Sequence, residues 1–400
     1  MPAGVDRFVP ARLRMARNAR ALRQKDLAAL VDRADTTVSK WESDDHEQRP
    51  DAVALSRLAN ALNIEVSWFF KPTGEAQGAA FFRSLKSELG RMRDKAEAKL
   101  SFVEEINSSI SEYIDLPPVD IPDILDGRDF RTLRNADMDH YANALRDYWN
   151  IGHEPIEDLL LVIENAGIVT AHDEIGSNKL DGVSRWGLDE RPYMLLARDK
   201  NVGARRRFDA AHELGHIVLH RHVTPDDLKS NFTLIEEQAM MFAGAFLLPE
   251  ETFGSEVYSL SLEALCNLKP RWKVAIAAMI KRLSALDRIT PEYERRLWQY
   301  YSYRRWRGCE PFDDELPVEQ PQVLSNAIQM VLDENLCTRS DLIRQIGLPP
   351  ADIANLTGVS EHYLAPPPQN LVRMKPAIRS RVQIGDTSNV VSIAAHRNKD

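Results

Sequence analysis

The sequence predicts a multidomain, mostly α-helical protein, with an all-α N-terminal unit, a central α+β unit holding a small sheet, and a helical C-terminal region. Three observations predict it. The chain has 400 residues, more than the ~150 of one usual domain. Apolar residues recur at spacings of three and four along most of it, the pattern of helices with one buried face. Strand-like runs are confined to GIVTAHD (167–173), DGVSRWGL (181–188) and PYMLLARD (192–199), separated by Gly, Asn and Pro. With 44% apolar and 28% charged residues the composition is that of a globular protein, which excludes a disordered, collagen-like or rod-like chain.

Taken in order, residues 12–70 alternate short helical patterns with polar turns: Leu13/Ala16, Leu22/Leu27/Leu30, Val38/Trp41 and Val53/Leu55/Leu58/Leu62. KPTGEAQG (71–78) has linker composition. From Phe81 a long helical stripe follows through Leu85, Leu89, Met92, Ala96, Leu100, Val103, Ile106, Ile110 and Tyr113, and stops at the prolines of DLPPVDIP. This stripe predicts a helix packed on its own chain or, since the spacing approximates heptads, a dimerising coiled coil. Leu133–Trp149 and Ile156–Ala166 are expected as helices before the strand-like runs, and the pattern is helical again from Arg205 to Leu364. Beyond Pro366 the composition is basic, polar and Pro-rich, so little order is expected. The expected units are 1–72, a linker and long helix at 73–129, the α+β unit at 130–255, helices at 256–365 and a tail at 366–400.

The 60 acidic and 51 basic side chains leave a net charge of −9, which argues against a protein that coats nucleic acid by overall positive charge. The charge is uneven. Up to Asp115 the signs balance, and Arg7, Arg12, Arg14, Arg17, Arg20, Arg23 and Lys25 follow one another without an intervening acid. A small, locally basic unit on an acidic body fits these numbers. Cys266, Cys309 and Cys337 are odd in number and far apart, so no disulfide framework or C-x-x-C zinc site is expected. No apolar run approaches the ~20 residues of a membrane helix, and the first residues lack the apolar core of a signal peptide. A reduced, cytoplasmic protein without a membrane partner is expected.

The sharpest motif is AAHELGHIVLH (210–220). On a helix His212 and His216 lie one turn apart on one face, so both imidazoles can bind one Zn²⁺. Glu213 sits beside the first ligand, placed to take a proton from the attacking water. A third ligand is required. His222 has the spacing of a longer histidine motif, but that motif needs a glycine turn where Leu219 stands. LIEEQAMMFAGAFLLPE (234–250) offers acids at the start of an apolar helix, and a glutamate from a following helix is the third ligand in thermolysin-like sites. Glu236 is preferred, then Glu237, then His222.

These residues resemble the ImmA/IrrE family of metallopeptidases. The resemblance rests on RRRFDAAHELGHIVLH (205–220), on Glu236, Ala239, Phe242 and Ala243 as E-x-x-A-x-x-F-A, on LLPE (247–250), and on PIEDLLLVIENAGIVT (155–170). It implies a thermolysin-like (gluzincin) α+β fold with His212, His216 and Glu236 as zinc ligands and Glu213 as general base. Met240 stands where the family usually has Asn or Asp, a polar group able to orient a ligand. QKDLAALVDRADTTVSKWES (24–43) resembles the XRE family of repressor-like helix-turn-helix domains, with Asp35–Glu42 as recognition helix. That implies a DNA operator as partner, with Gln24, Asp35, Thr36, Thr37 and Lys40 as contacts and the bases from Arg12 to Lys25 facing phosphates. The turn glycine is replaced by Asp32 and the usual apolar turn residue by Arg33. Residues 272–290 and 304–311 resemble the helical region that follows the peptidase in such fusions. The aromatic run 298–306 is expected to pack in a core rather than stack on bases.

The reaction implied is peptide-bond hydrolysis, with Tyr193, His172, Arg207 and His220 as candidate donors to the tetrahedral oxyanion. Tyr193–Arg198, if an edge strand, would hold an extended substrate by strand addition, and is otherwise a core strand. The resemblance implies a protein substrate of helix-turn-helix repressor type, a partner or the chain itself, cleaved on a stress or mobile-element signal. The alternative is a DNA-binding regulator or antitoxin whose zinc is structural or sensory. Useful operator affinity is expected to need a homodimer.

Overall fold

The computed structural model describes residues 7–73, 79–81, 90–177, 179–199 and 201–364. Four helices open it: α1 (Pro10–Ala19), α2 (Gln24–Leu30), α3 (Asp35–Trp41) and α4 (Ala52–Leu62), followed by a 3-10 turn at Val66–Phe70. The long α5 (Gly90–Ile110), α6 (Met138–Tyr148) and α7 (Leu159–Asn165) lead into β1 (Val169–Asp173), β2 (Gly182–Trp186) and β3 (Pro192–Ala197). Then come α8 (Gly203–Leu219), α9 (Pro225–Leu247), α10 (Glu250–Glu256), α11 (Leu262–Trp272), α12 (Ile276–Ala285) and α13 (Pro291–Tyr303). The last helices are α14 (Val323–Asp333), α15 (Arg339–Ile346), α16 (Pro350–Thr357) and α17 (Glu361–Leu364). The mostly helical, α+β architecture is the one the sequence predicts. The linker residues 74–78, Leu85 and Leu89 of the stripe, and the tail from 366 lie outside the described residues. No described helix is long and apolar enough to cross a membrane.

The sheet order is β1-β3-β2, with β3 parallel to β1 and antiparallel to β2. This corrects the edge-strand reading of Tyr193–Arg198: β3 is central, its backbone groups taken from both sides, and β2 is an edge. Alternation along β3 sends Tyr193, Leu195 and Ala197 into one core and Met194 and Leu196 into the other. On the first face lie α1–α5 and α14–α17. On the second lie α6–α13, with α8 against β2 and β3.

The α5 stripe is spent inside its own chain. Leu100, Phe102, Val103, Ile106 and Ile110 are fully buried among α1, the sheet and the C-terminal helices, so the coiled-coil reading loses its surface. The helix does not begin at Phe81, which makes a β-bridge with Ser184 instead. The aromatic run 298–306 packs as expected: Tyr301 stacks edge-on with Trp298 and Trp306, and its hydroxyl donates to Glu310 at 2.8 Å.

Between α5 and the outer elements lies a buried ionic cluster. Lys99 of α5 reaches Asp352 of α16 at 2.8 Å and Asp173 of β1 at 3.1 Å, and Asp352 also accepts from Arg20 beside α1 at 2.5 Å. Burial disfavours the Asp352 carboxylate, but Lys99 and Arg20 outweigh it and hold its carboxyl below the usual value. Asp352→Ala is expected to destabilise the protein by about 2–3 kcal/mol, because it strips partners from two cations in a dry site. Since the folded-state pKa is depressed, this increment is present above about pH 4 and is lost as pH falls through the folded value. Thermal melts of wild type and variant at neutral pH, then on acidification, check both statements: the gap should close in acid.

Candidate functional site

α8 carries the H-E-x-x-H residues and is sandwiched between β2 and α9. Two glycines set how closely. A Cβ on Gly215 would lie 3.2 Å from the Cα and carbonyl oxygen of Ala239, so α8 and α9 meet nearly backbone to backbone. A Cβ on Gly182 would lie 3.0 Å from Glu213 Cγ and Oε1, so β2 closes on the other side. α9 starts with a Thr224–Asp227 capping box and delivers Glu236 opposite the histidines.

The result is a convergent donor set. His212 Nε2 and His216 Nε2 are 3.0 Å apart, Glu236 Oε2 is 3.4 Å from the first and Glu236 Oε1 3.2 Å from the second. Among the described residues this is the one group of three or more such side chains with donors within 4.8 Å of one another. The alternatives are not drawn in. Glu237 accepts a 2.6 Å hydrogen bond from Asn135, and His222 lies exposed beyond the end of α8.

The protons can be assigned from the surroundings. Gln238 Nε2 donates to the carbonyls of Phe130 (2.7 Å) and Leu133 (3.2 Å), which turns its Oε1 toward His220 Nε2 at 3.0 Å. His220 must donate there, because Oε1 can only accept. Burial pushes the His220 imidazole down to about 3, so it is neutral and its Nδ1 accepts. The 3.1 Å contact with His216 Nδ1 therefore carries the His216 proton, and His216 Nε2 is left with a bare lone pair facing His212 and Glu236. Burial likewise keeps His216 neutral, down to about 4. Glu236 Oε1 accordingly has no hydrogen-bond donor. Lone pairs that face one another in a dry site repel unless a cation lies between them. Donor separations of 3.0–3.4 Å are close to the ~3.4 Å expected between ligands ~2.1 Å from a tetrahedral centre, so the residues fit a metal ion such as Zn²⁺.

Glu213 is fully buried beside this group. Its Oε2 accepts from Ser184 Oγ of β2 at 2.6 Å, and burial pushes its carboxyl up to about 8. Residues 163–284 match the IrrE N-terminal-like domain of peptidase family M78. Residues 13–69 match a helix-turn-helix model. The chain thus carries an IrrE N-terminal-like domain and a helix-turn-helix domain. No curated protein matches the chain.

Within the IrrE-like domain, Ser184 and the Gln238–His220 relay were missed by sequence reasoning. His220 did carry a signal, since it follows His216 by four residues, yet it was read as an oxyanion donor. It stands behind His216 and fixes its tautomer. The other candidate donors are engaged elsewhere. Tyr193 Oη binds Asp189 and Asn107 on the α5 face of the sheet, Arg207 pairs with Glu319, and His172 contacts Arg198.

In the helix-turn-helix domain Leu27, Val31, Val38 and Trp41 form the core, and Asp32 adopts φ +55° at the turn usually given to glycine. Asp35, Thr36 and Lys40 are exposed on α3 and Thr37 is half-buried. The basic run departs from expectation. Arg17 forms a bidentate pair with Glu42 (2.6 and 2.8 Å), to which Gln24 also donates at 2.8 Å. Arg12 pairs with Glu105, Arg14 caps the Glu42 carbonyl, Arg20 holds Asp352 and Arg23 pairs with Asp26. Most of these bases hold the domain together and dock it; Lys25 stays exposed.

Gln238→Leu keeps the side-chain size and removes the relay. It is expected to weaken Zn²⁺ binding about 10–100-fold. Titration against a chelator, with circular dichroism to confirm that α8 and α9 persist, measures it.

Proposed function

We propose that this protein is a zinc-dependent metalloendopeptidase that binds an operator through its helix-turn-helix domain and hydrolyses a peptide bond in a repressor-type protein, a partner or the chain itself, in response to a stress or mobile-element signal. The observation that carries the reading is the meeting of His212, His216 and Glu236 beside a buried Glu213 at an edge strand. Two imidazoles and one carboxylate, with Glu213 set beside them rather than among them, are the donor set of a catalytic Zn²⁺ site.

Zn²⁺ held by these residues supplies Lewis acidity, polarising the scissile carbonyl and acidifying the attacking water. Glu213 takes the water's proton on the oxygen not held by Ser184 and passes it to the leaving amine. Burial raises the basicity of its carboxylate, the form that takes the proton and holds it until the amine leaves. The Ser184 hydroxyl fixes the carboxyl plane. At the other end Asp35, Thr36, Thr37 and Lys40 face the major groove, while Gln24 reaches a phosphate only by leaving Glu42. A cytoplasmic site of action and a homodimer belong to the same reading.

Glu213→Gln is expected to retain zinc and lose cleavage of a co-expressed repressor by a factor of about 10²–10⁴. Undiminished cleavage would sink the peptidase assignment. A second reading, a DNA-binding regulator with a structural or sensory zinc, draws on the burial of His216 at 0% and Glu213 at 2% exposure. Operator binding separates the two. Lys40→Ala and Thr36→Ala should weaken it by about 1–3 kcal/mol, with a shallower salt dependence for the lysine. If zinc removal abolishes operator binding while Glu213→Gln changes nothing, the second reading stands.

A further inference from the structure

What closes the centre is the chain's own segment Ala79–Phe81. The Phe81 N–H donates to the Ser184 carbonyl at 3.0 Å and forms an antiparallel bridge on the edge of β2 that β3 leaves open. Its ring lies flat on the His216 imidazole, centroids 4.7 Å apart and planes 8° apart, and its centroid is 5.8 Å from that of His220. Phe81 is 2% exposed and Ala79 4%. The same Ser184 that accepts from Phe81 gives its hydroxyl to Glu213. A peptide within reach of Glu213 and the three donors has to run along this edge, which is where Phe81 sits. Strand addition of this kind takes its affinity from main-chain hydrogen bonds and its selectivity from the side chains that face the sheet. Among the described residues Phe81 makes a single isolated bridge, which a longer strand can outcompete.

We propose that Ala79–Phe81 is an internal strap that occupies the substrate's place on β2. On this view the substrate is an extended segment that displaces the strap and presents an aromatic or large apolar side chain to His216. The proposal rests on reading the centre as a peptidase. The competing account is that Phe81 is a permanent fourth edge of the sheet.

The test uses the full-length, zinc-loaded chain and a synthetic peptide with the sequence of residues 76–84. In the wild type, hydrogen exchange at the Phe81 amide should be about tenfold faster than at the Leu195 amide of β3, and faster still with the peptide present. Equal, slow exchange at both amides under both conditions overturns the strap, and needs no variant that might unfold. In a Glu213→Gln background, which keeps the peptide intact, the fluorescein-labelled peptide should bind Phe81→Ala about tenfold more tightly than the Phe81 chain. Equal affinities overturn the proposal, and Phe81→Leu, which keeps bulk without the stack, should fall between. With Glu213 restored, Phe81→Ala should hydrolyse the peptide faster than wild type. Tighter binding without hydrolysis would leave the strap standing and remove the peptidase reading beneath it.

Discussion

The close approach of α8 to its two neighbours is the constraint on which the site depends. Neither Gly182 nor Gly215 has a positive φ; each is needed for the space a Cβ would fill. A methyl group at Gly215 would push α9 away and draw Glu236 off the histidine pair. A methyl group at Gly182 would press on the Glu213 side chain. Helix and strand periodicity explain why the elements form. These two missing side chains explain why the donors converge.

Local order was therefore legible in the sequence, and convergence only in part. The H-E-x-x-H helix and the three strands announce themselves by period, and Glu236 by being an acid just ahead of the apolar run of α9, although that helix begins earlier, at Pro225. Strand order is another matter. It depends on which chain segments meet across the sheet, and nothing within residues 192–198 separates a central strand from an edge. The basic run misled for the same reason. A row of arginines is a solvated face only if no acid arrives from elsewhere, and here Glu42, Glu105 and Asp352 do. The His220–Gln238 relay is hidden in the sequence for a like reason: the two become a pair only when α8 and α9 pack.

Charge distribution takes on a different meaning in this light. Residues 1–115 carry no net charge, and many bases of the N-terminal unit serve as internal fasteners, so its electrostatic pull on a duplex rests on few side chains. In the proposed operator complex, specific contacts from α3 would then carry more of the recognition than phosphate attraction does. Glu42 takes Arg17 and Gln24 together and so anchors the end of the recognition helix to α1 and α2.

Two neighbouring acids on α5 join the helix-turn-helix domain to the sheet. Glu105 pairs with Arg12 and accepts from the Trp68 indole at 2.7 Å, both in the N-terminal unit. Glu104 pairs at 2.7 Å with Arg185, the residue after Ser184 on β2. The helix-turn-helix domain and the edge strand beside the histidines are thus bolted to adjacent residues of one helix. Linkage then imposes a symmetry on the molecule. Under the proposed function, by whatever factor a duplex alters peptide binding at β2, that peptide alters the grip on the duplex by the same factor.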